Sequence, residues 1–157
     1  MSRRGFSLIE LVIVVVILGI IAAIAVPRMS RASRTSQESA LRRDLQILRH
    51  AIEHFAAEHQ GLYPDSRIVD QLTKHSAFDG TPEGGAVAAS ELIYGPYLRS
   101  IPPLPLGANA GYMGVQIENA STTETDFGWI YNIPQRHIRP NTRTTEKDDR
   151  GVTYLDY

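Results

Sequence analysis

Residues 6–26 read FSLIELVIVVVILGIIAAIAV and carry a single charge, Glu10. As an α-helix this run spans roughly 30 Å, the thickness of a bilayer's hydrocarbon core, so one membrane span is its simplest reading. The β-branched residues from Val12 to Ile17 are weak helix formers in water. In lipid, however, every backbone N–H has to be bonded within the segment, and the helix does that for any side chain. Glu10 is the anomaly. A carboxylate costs about 2.5–3.5 kcal/mol at the centre of a membrane helix, and an intramembrane acid points to function. Near the end of the run it can reach toward the interface, and a cation beside it would relieve the remaining cost. A secretory signal is the plainer alternative, because Ala22, Ala23 and Ala25 offer the small residues of a cleavage site. Arg3 and Arg4 precede the run and Arg28, Arg31 and Arg34 follow it, so the positive-inside rule does not orient it.

Outside this run the chain is of another kind. Residues 1–34 hold five Arg and one Glu, net +4, leaving 11 basic and 16 acidic residues, net −5, for the remainder of the 157. That remainder has room for one modest soluble domain, and its composition excludes a collagenous or disordered chain. With no cysteine there is no disulfide framework, thiolate metal site or Cys nucleophile.

Pro27 removes an intrahelical hydrogen bond and predicts a kink, after which residues 28–60 resume a helical pattern. Leu41, Leu45, Leu48, Ile52 and Phe55 form one apolar stripe of an amphipathic helix, with Gly61 placed as its C-terminal stop. The stripe needs a domain to lean on. Eight of nine prolines and ten of twelve glycines lie beyond residue 60, so turns dominate there. Residues 68–74 and a part of 86–98 suit short helices, and Ile101-Pro102-Pro103-Leu104-Pro105-Leu106 has to be extended. Residues 114–118, 128–133 and 151–157 read as strands. A small antiparallel sheet packed on the amphipathic half-helix is the economical arrangement, an α+β fold.

The string Arg4-Gly5-Phe6-Ser7-Leu8-Ile9-Glu10, with the apolar run ending at Pro27, closely resembles the leader and N-terminal helix of type IV prepilins and type II secretion pseudopilins. The resemblance implies a pilin-like fold in four parts: a cleaved leader (1–5), a transmembrane and assembly helix (6–27), its amphipathic continuation (28–60) and a periplasmic globular region (61–157). It implies that prepilin peptidase cuts between Gly5 and Phe6 and methylates the new amine. It also implies that Glu10 neutralises that amine on a neighbouring subunit during assembly, and that the N-terminus faces the cytoplasm with the bulk of the chain outside the inner membrane. A platform and an ATPase would drive a filament of identical or related pilin subunits. Tyr94-Gly95-Pro96-Tyr97-Leu98 before a proline-rich stretch resembles, more narrowly, the major (G-type) pseudopilin. Where that subfamily has Asp-Pro-Trp-Gly this chain has Leu104-Pro105-Leu106-Gly107, and its acidic, Gly-rich calcium loop is not found, so no metal or cofactor is expected. The function implied is a pseudopilin of type II secretion. The alternative is a surface pilin for adhesion, motility or DNA uptake, against which the lack of a C-terminal cysteine pair speaks.

Other candidate chemistry has ordinary explanations. His50, His54 and Glu58 share a helix face at metal-ligand spacing, but that is the polar face. Glu146, Asp148 and Asp149 suit a charged surface loop, and Gly80, Gly84 and Gly85 lack the Lys-Ser/Thr of a phosphate loop. Trp129 and Tyr131 beside Arg136 and Arg139 suit sheet packing rather than nucleic acid, which a net-acidic domain is not expected to bind. His59, His75 and His137 have no nucleophile partner in sequence, so no catalytic residue is expected. Among the stem arginines 31, 34, 42 and 43, intersubunit pairs with Glu38 or Asp44 are the sharper expectation, and solvated helix surface is the simpler one.

Overall fold

The computed structural model describes residues 7–118 and 126–157, without the side chains at 26, 27 and 30. Its elements are a 51-residue helix α1 (Leu8–Glu58), a short helix α2 (Ile68–Thr73), and strands β1 (Gly114–Ile117), β2 (Phe127–Asn132) and β3 (His137–Pro140). Two 3-10 turns, Ala89–Glu91 and Tyr154–Asp156, complete them. A long N-terminal helix followed by a small sheet is the α+β order expected of a pilin-like fold. The chain forms two compact units, Met1–Gln37 and Glu38–Tyr157, and α1 belongs to both.

In the second unit the apolar stripe of α1 is the floor of the core. Leu41, Leu48 and Phe55 are fully buried and Leu45 and Ile52 almost so, packed with Trp129, Tyr131, Ile138, Leu104 and Leu72. Residues three and four apart line one face of a helix, which is why so few positions suffice. The helix ends at Glu58, and the left-handed residue after it is Gln60 (φ 55°) as well as Gly61 (φ 86°). The Gly61 N–H bonds the Ala56 carbonyl at 2.8 Å, the long bond of a Schellman cap. Gly61 therefore helps to close the helix from one position later than expected.

The sheet is mixed rather than antiparallel. Its order is β1-β2-β3, with β1 parallel to β2 and β3 antiparallel to β2. The expected strand at 151–157 is instead a turn and the 3-10 segment Tyr154–Asp156, and the third strand lies in a stretch expected to be linker. Two local causes account for the exchange. Asn132 caps the β2–β3 turn by accepting the Gln135 N–H on Oδ1 at 2.7 Å, and Arg136 takes a left-handed φ of 55°, so the chain reverses at once into β3. At the C-terminal end Gly151 (φ 82°) and the Asp148 carboxylate bend the chain, and the aromatic residues that suggested a strand serve the helix instead. The Tyr154 hydroxyl donates to Glu38 at 2.8 Å, and the Arg42 guanidinium donates to the Tyr157 hydroxyl at 2.8 Å. The region 86–98 holds only the three-residue turn Ala89–Glu91.

Gly128 marks a bulge: the pairing shifts between Gly114↔Phe127 and Val115↔Trp129. A Cβ at Gly128 would lie 2.1 Å from the Tyr112 carbonyl oxygen, against backbone that cannot rotate away. Gly128→Ala is therefore expected to destabilise the second unit by about 2–4 kcal/mol, as overpacking with a backbone shift does. Chemical denaturation of the chain in detergent measures it, and an unchanged midpoint contradicts the close approach.

Candidate functional site

The first unit presents an apolar helix to its surroundings. Leu8–Ala25 is long and apolar enough to cross a membrane, and none of it is buried within the chain. Leu8 is 80% exposed and Ile9 64%, and the residues through Ile24 are about half exposed on all sides. Among the described residues no core covers them, which is the exposure that suits a helix surrounded by lipid or by other helices. At Gly19 a Cβ would meet nothing within 4 Å. With Ala23 one turn on, it leaves a shallow strip where another helix backbone can approach.

Glu10 sits in the first turn of α1, and its Oε2 accepts the Ser7 backbone N–H at 2.8 Å. Ser7-Leu8-Ile9-Glu10 has the spacing of a capping box, in which the acid three residues into a helix reaches back to the free N–H of the cap residue. The signal for it in the sequence is a Ser followed three residues later by a Glu at the head of an apolar run. A carboxylate at a helix N-terminus is also favoured by the helix dipole. Gly5 and Phe6 lie outside the described residues. The backbone of α1 is helical through position 27.

The family model of the prokaryotic N-terminal methylation motif matches residues 1–26. These first 26 residues are similar to a prepilin-type N-terminal motif. The match supports the type IV pilin-like family and an N-methylated subunit of it, and with the apolar helix it suits anchoring in the inner membrane. No curated protein and no solved structure matches the chain.

The other candidate groups are tied into the fold. Glu58 accepts the Tyr97 hydroxyl at 2.7 Å and the His54 ring meets Tyr97 edge-on at 5.4 Å, so this face of α1 holds the Gly95-Pro96-Tyr97-Leu98 segment. Burial and the adjacent Glu58 push the Tyr97 hydroxyl well above its ordinary pKa. Among the described residues no group of three or more His, Asp or Glu is gathered closely enough to hold a metal ion. Trp129 and Tyr131 are fully buried, and burial pushes the Tyr131 hydroxyl up to about 12. Trp129 Nε1 donates to the Pro102 carbonyl at 2.8 Å, Arg139 pairs with Glu118 at 2.6 Å, and Arg136 lies over the Tyr63 ring at 4.4 Å. That set of residues is packing and surface pairing, with no open aromatic face for a base. Glu38, expected to pair between subunits, is buried against Tyr154. His59, which had no visible partner in sequence, is fully buried and stacked on Phe55 at 4.0 Å. Its ring nitrogens face the Phe55 and Ala77 carbonyls at 2.7 and 3.0 Å, which ties the end of α1 to the following loop.

Asp148 is the centre of the C-terminal strap. It accepts the backbone N–H groups of Arg150 and Val152, each at 2.9 Å, the Arg150 side chain at 3.1 Å and the Tyr157 hydroxyl at 2.8 Å. Burial works to raise its pKa. The bonds from Tyr157, Val152 and Arg150 together outweigh it and hold the carboxyl well below the usual carboxylate range. A pKa lowered by folding gives stability that is complete above the unfolded value of about 4 and is lost as pH falls toward the folded one. The melting temperature of the second unit is accordingly expected to be level from pH 7 to about 5 and to fall steadily below about pH 4. Asp148→Asn should lower it at pH 7 and flatten the acid limb, which thermal scans across pH measure; an unchanged slope contradicts the strap's role.

Proposed function

We propose that this chain is a non-enzymatic pseudopilin of a type II secretion apparatus. Prepilin peptidase cleaves it between Gly5 and Phe6 and methylates the new amine, and its N-terminal helix then joins it to identical or related subunits. The observation that carries this reading is the prepilin motif over residues 1–26 on a helix whose apolar surface the chain itself leaves uncovered. Before assembly lipid covers that surface, with the N-terminus cytoplasmic and residues 61–157 periplasmic. Afterwards neighbouring helices cover it. Exchanging lipid for helix gains little hydrophobic energy, so close packing, the Glu10 charge and an ATPase acting through a membrane platform supply the drive. Pro27 bends the helix where it leaves the membrane.

Secretion is preferred to a surface pilus for two reasons. Tyr94-Gly95-Pro96-Tyr97-Leu98 is similar to the segment found in the major pseudopilin, and the chain has no cysteine to form a C-terminal pair. In its host, deleting the gene is expected to leave folded exoproteins in the periplasm while twitching motility and DNA uptake persist. Loss of motility or uptake with secretion intact would instead establish the surface pilin.

A further inference from the structure

The second unit carries two open grooves of opposite charge. The first, of about 360 Å³, has Arg42, Arg49 and Arg150 around Leu45, Val152 and Tyr157. Arg42 and Arg150 reach to the surface, with side chains 49% and 70% exposed, while each also faces the buried Asp148 carboxylate, at 3.8 and 3.1 Å, and Arg49 is bonded to the Tyr157 main-chain oxygen at 2.6 Å. The second, of about 460 Å³, has Phe78, Val87 and Ile93 with Asp79 and Glu91. Phe78 is 51% and Ile93 70% exposed. The loop that builds it, residues 75–95, contains Asp79, Glu83 and Glu91 and no Lys or Arg.

The grooves lie at different levels along α1. The basic one is built on α1 at Arg42 to Arg49. The acidic one adjoins the far end of α1, where the Ala77 carbonyl faces His59 at 3.0 Å. At 1.5 Å and 100° per residue they are separated by about 15–25 Å along the helix and about a quarter of a turn around it. When the two surfaces of one molecule engage two different copies, the contact is heterologous and repeats as an open chain if the rotation does not close; when two copies exchange both contacts, it closes as a dimer, and a ladder separates the two.

We infer that the acidic groove of one copy takes the basic groove of a second copy, with Ile93 and Phe78 against Val152 and Tyr157 and with Asp79 and Glu91 toward Arg42 and Arg150. This rests on the assembly reading above and specifies which surfaces of the globular units meet. Each exposed ion pair is worth little by itself; the charges fix register and direction, and the apolar floors supply the contact.

The absence of cysteine from the chain makes the test clean. The full-length chain carrying Ile93→Cys and Val152→Cys is produced in its host, and sheared filaments and membranes are treated with a short bismaleimide. A ladder of dimers and higher multimers is expected, and neither single variant should give one. Co-producing the two single variants should give dimers that stop at two copies. Adding Glu91→Arg should reduce the ladder severalfold, and an undiminished ladder overturns the charge pairing. Filaments that form without a ladder overturn the pairing and leave assembly standing, as does cross-linking of Val152→Cys to a band of another mass without a ladder. If the unsubstituted chain yields no filaments, the assembly reading fails and the pairing fails with it.

Discussion

A Glu10→Gln chain is expected to insert and be processed normally and to be recovered in sheared filaments at roughly a tenth of the normal level or less. The carboxylate of Glu10 is held in the first turn of α1 by the Ser7 N–H at 2.8 Å, one residue from the position where cleavage would create an amine. Glutamine keeps an oxygen that can accept that N–H, so the helix start survives and only the charge is lost. Removing one partner of a buried ion pair costs about 3–5 kcal/mol, and about 1.4 kcal/mol is already tenfold in an equilibrium. Glu10→Ala removes the backbone bond too, adding about 1 kcal/mol of lost capping. Immunoblots of filament and membrane fractions separate the two contributions. If Gln assembles normally and Ala does not, Glu10 acts as a helix cap alone.

Trp129→Ala is expected to cost the second unit about 3–5 kcal/mol, a large part of the stability of a domain this size. Trp129 is fully buried in β2, belongs to the cluster that packs on the α1 stripe, and holds the proline-rich segment through the Pro102 carbonyl at 2.8 Å. Alanine leaves a cavity between the sheet and that segment and an unpaired carbonyl at its edge. The melting temperature should fall by about 10–20 °C in detergent. Trp129→Phe should recover much of the packing without the hydrogen bond. A drop of only a few degrees for alanine would mean that the sheet is not fixed to the helix through this residue.

How much of this was legible depended on whether local chemistry or pairing decided the outcome. The stripe from Leu41 to Phe55 was readable because helical period alone puts those residues on one face, and all of them are buried. β1 and β2 were readable to within one residue from their alternating and aromatic content. The direction of β1 against β2 was not, because period-two patterning is the same for parallel and antiparallel neighbours. β3 escaped notice because four residues ending in Pro140 carry almost no pattern, and its existence depends on the turn capped by Asn132. The reverse error occurred at Tyr154 and Tyr157, whose β-forming character is overridden by their bonds to Glu38 and Arg42 on α1. At the candidate site the Glu10 charge was visible at once, whereas the burial of Glu38 and His59 needed tertiary contacts that no spacing encodes.

The most direct test of the central claim is the mass of the N-terminal peptide of the protein purified from its own membrane. The expected result is a chain that begins at Phe6 and carries one added methyl group on its amine. A chain still beginning at Met1 or Ser2, or one cut near Ala25, would contradict it and leave a plain membrane anchor or an exported domain.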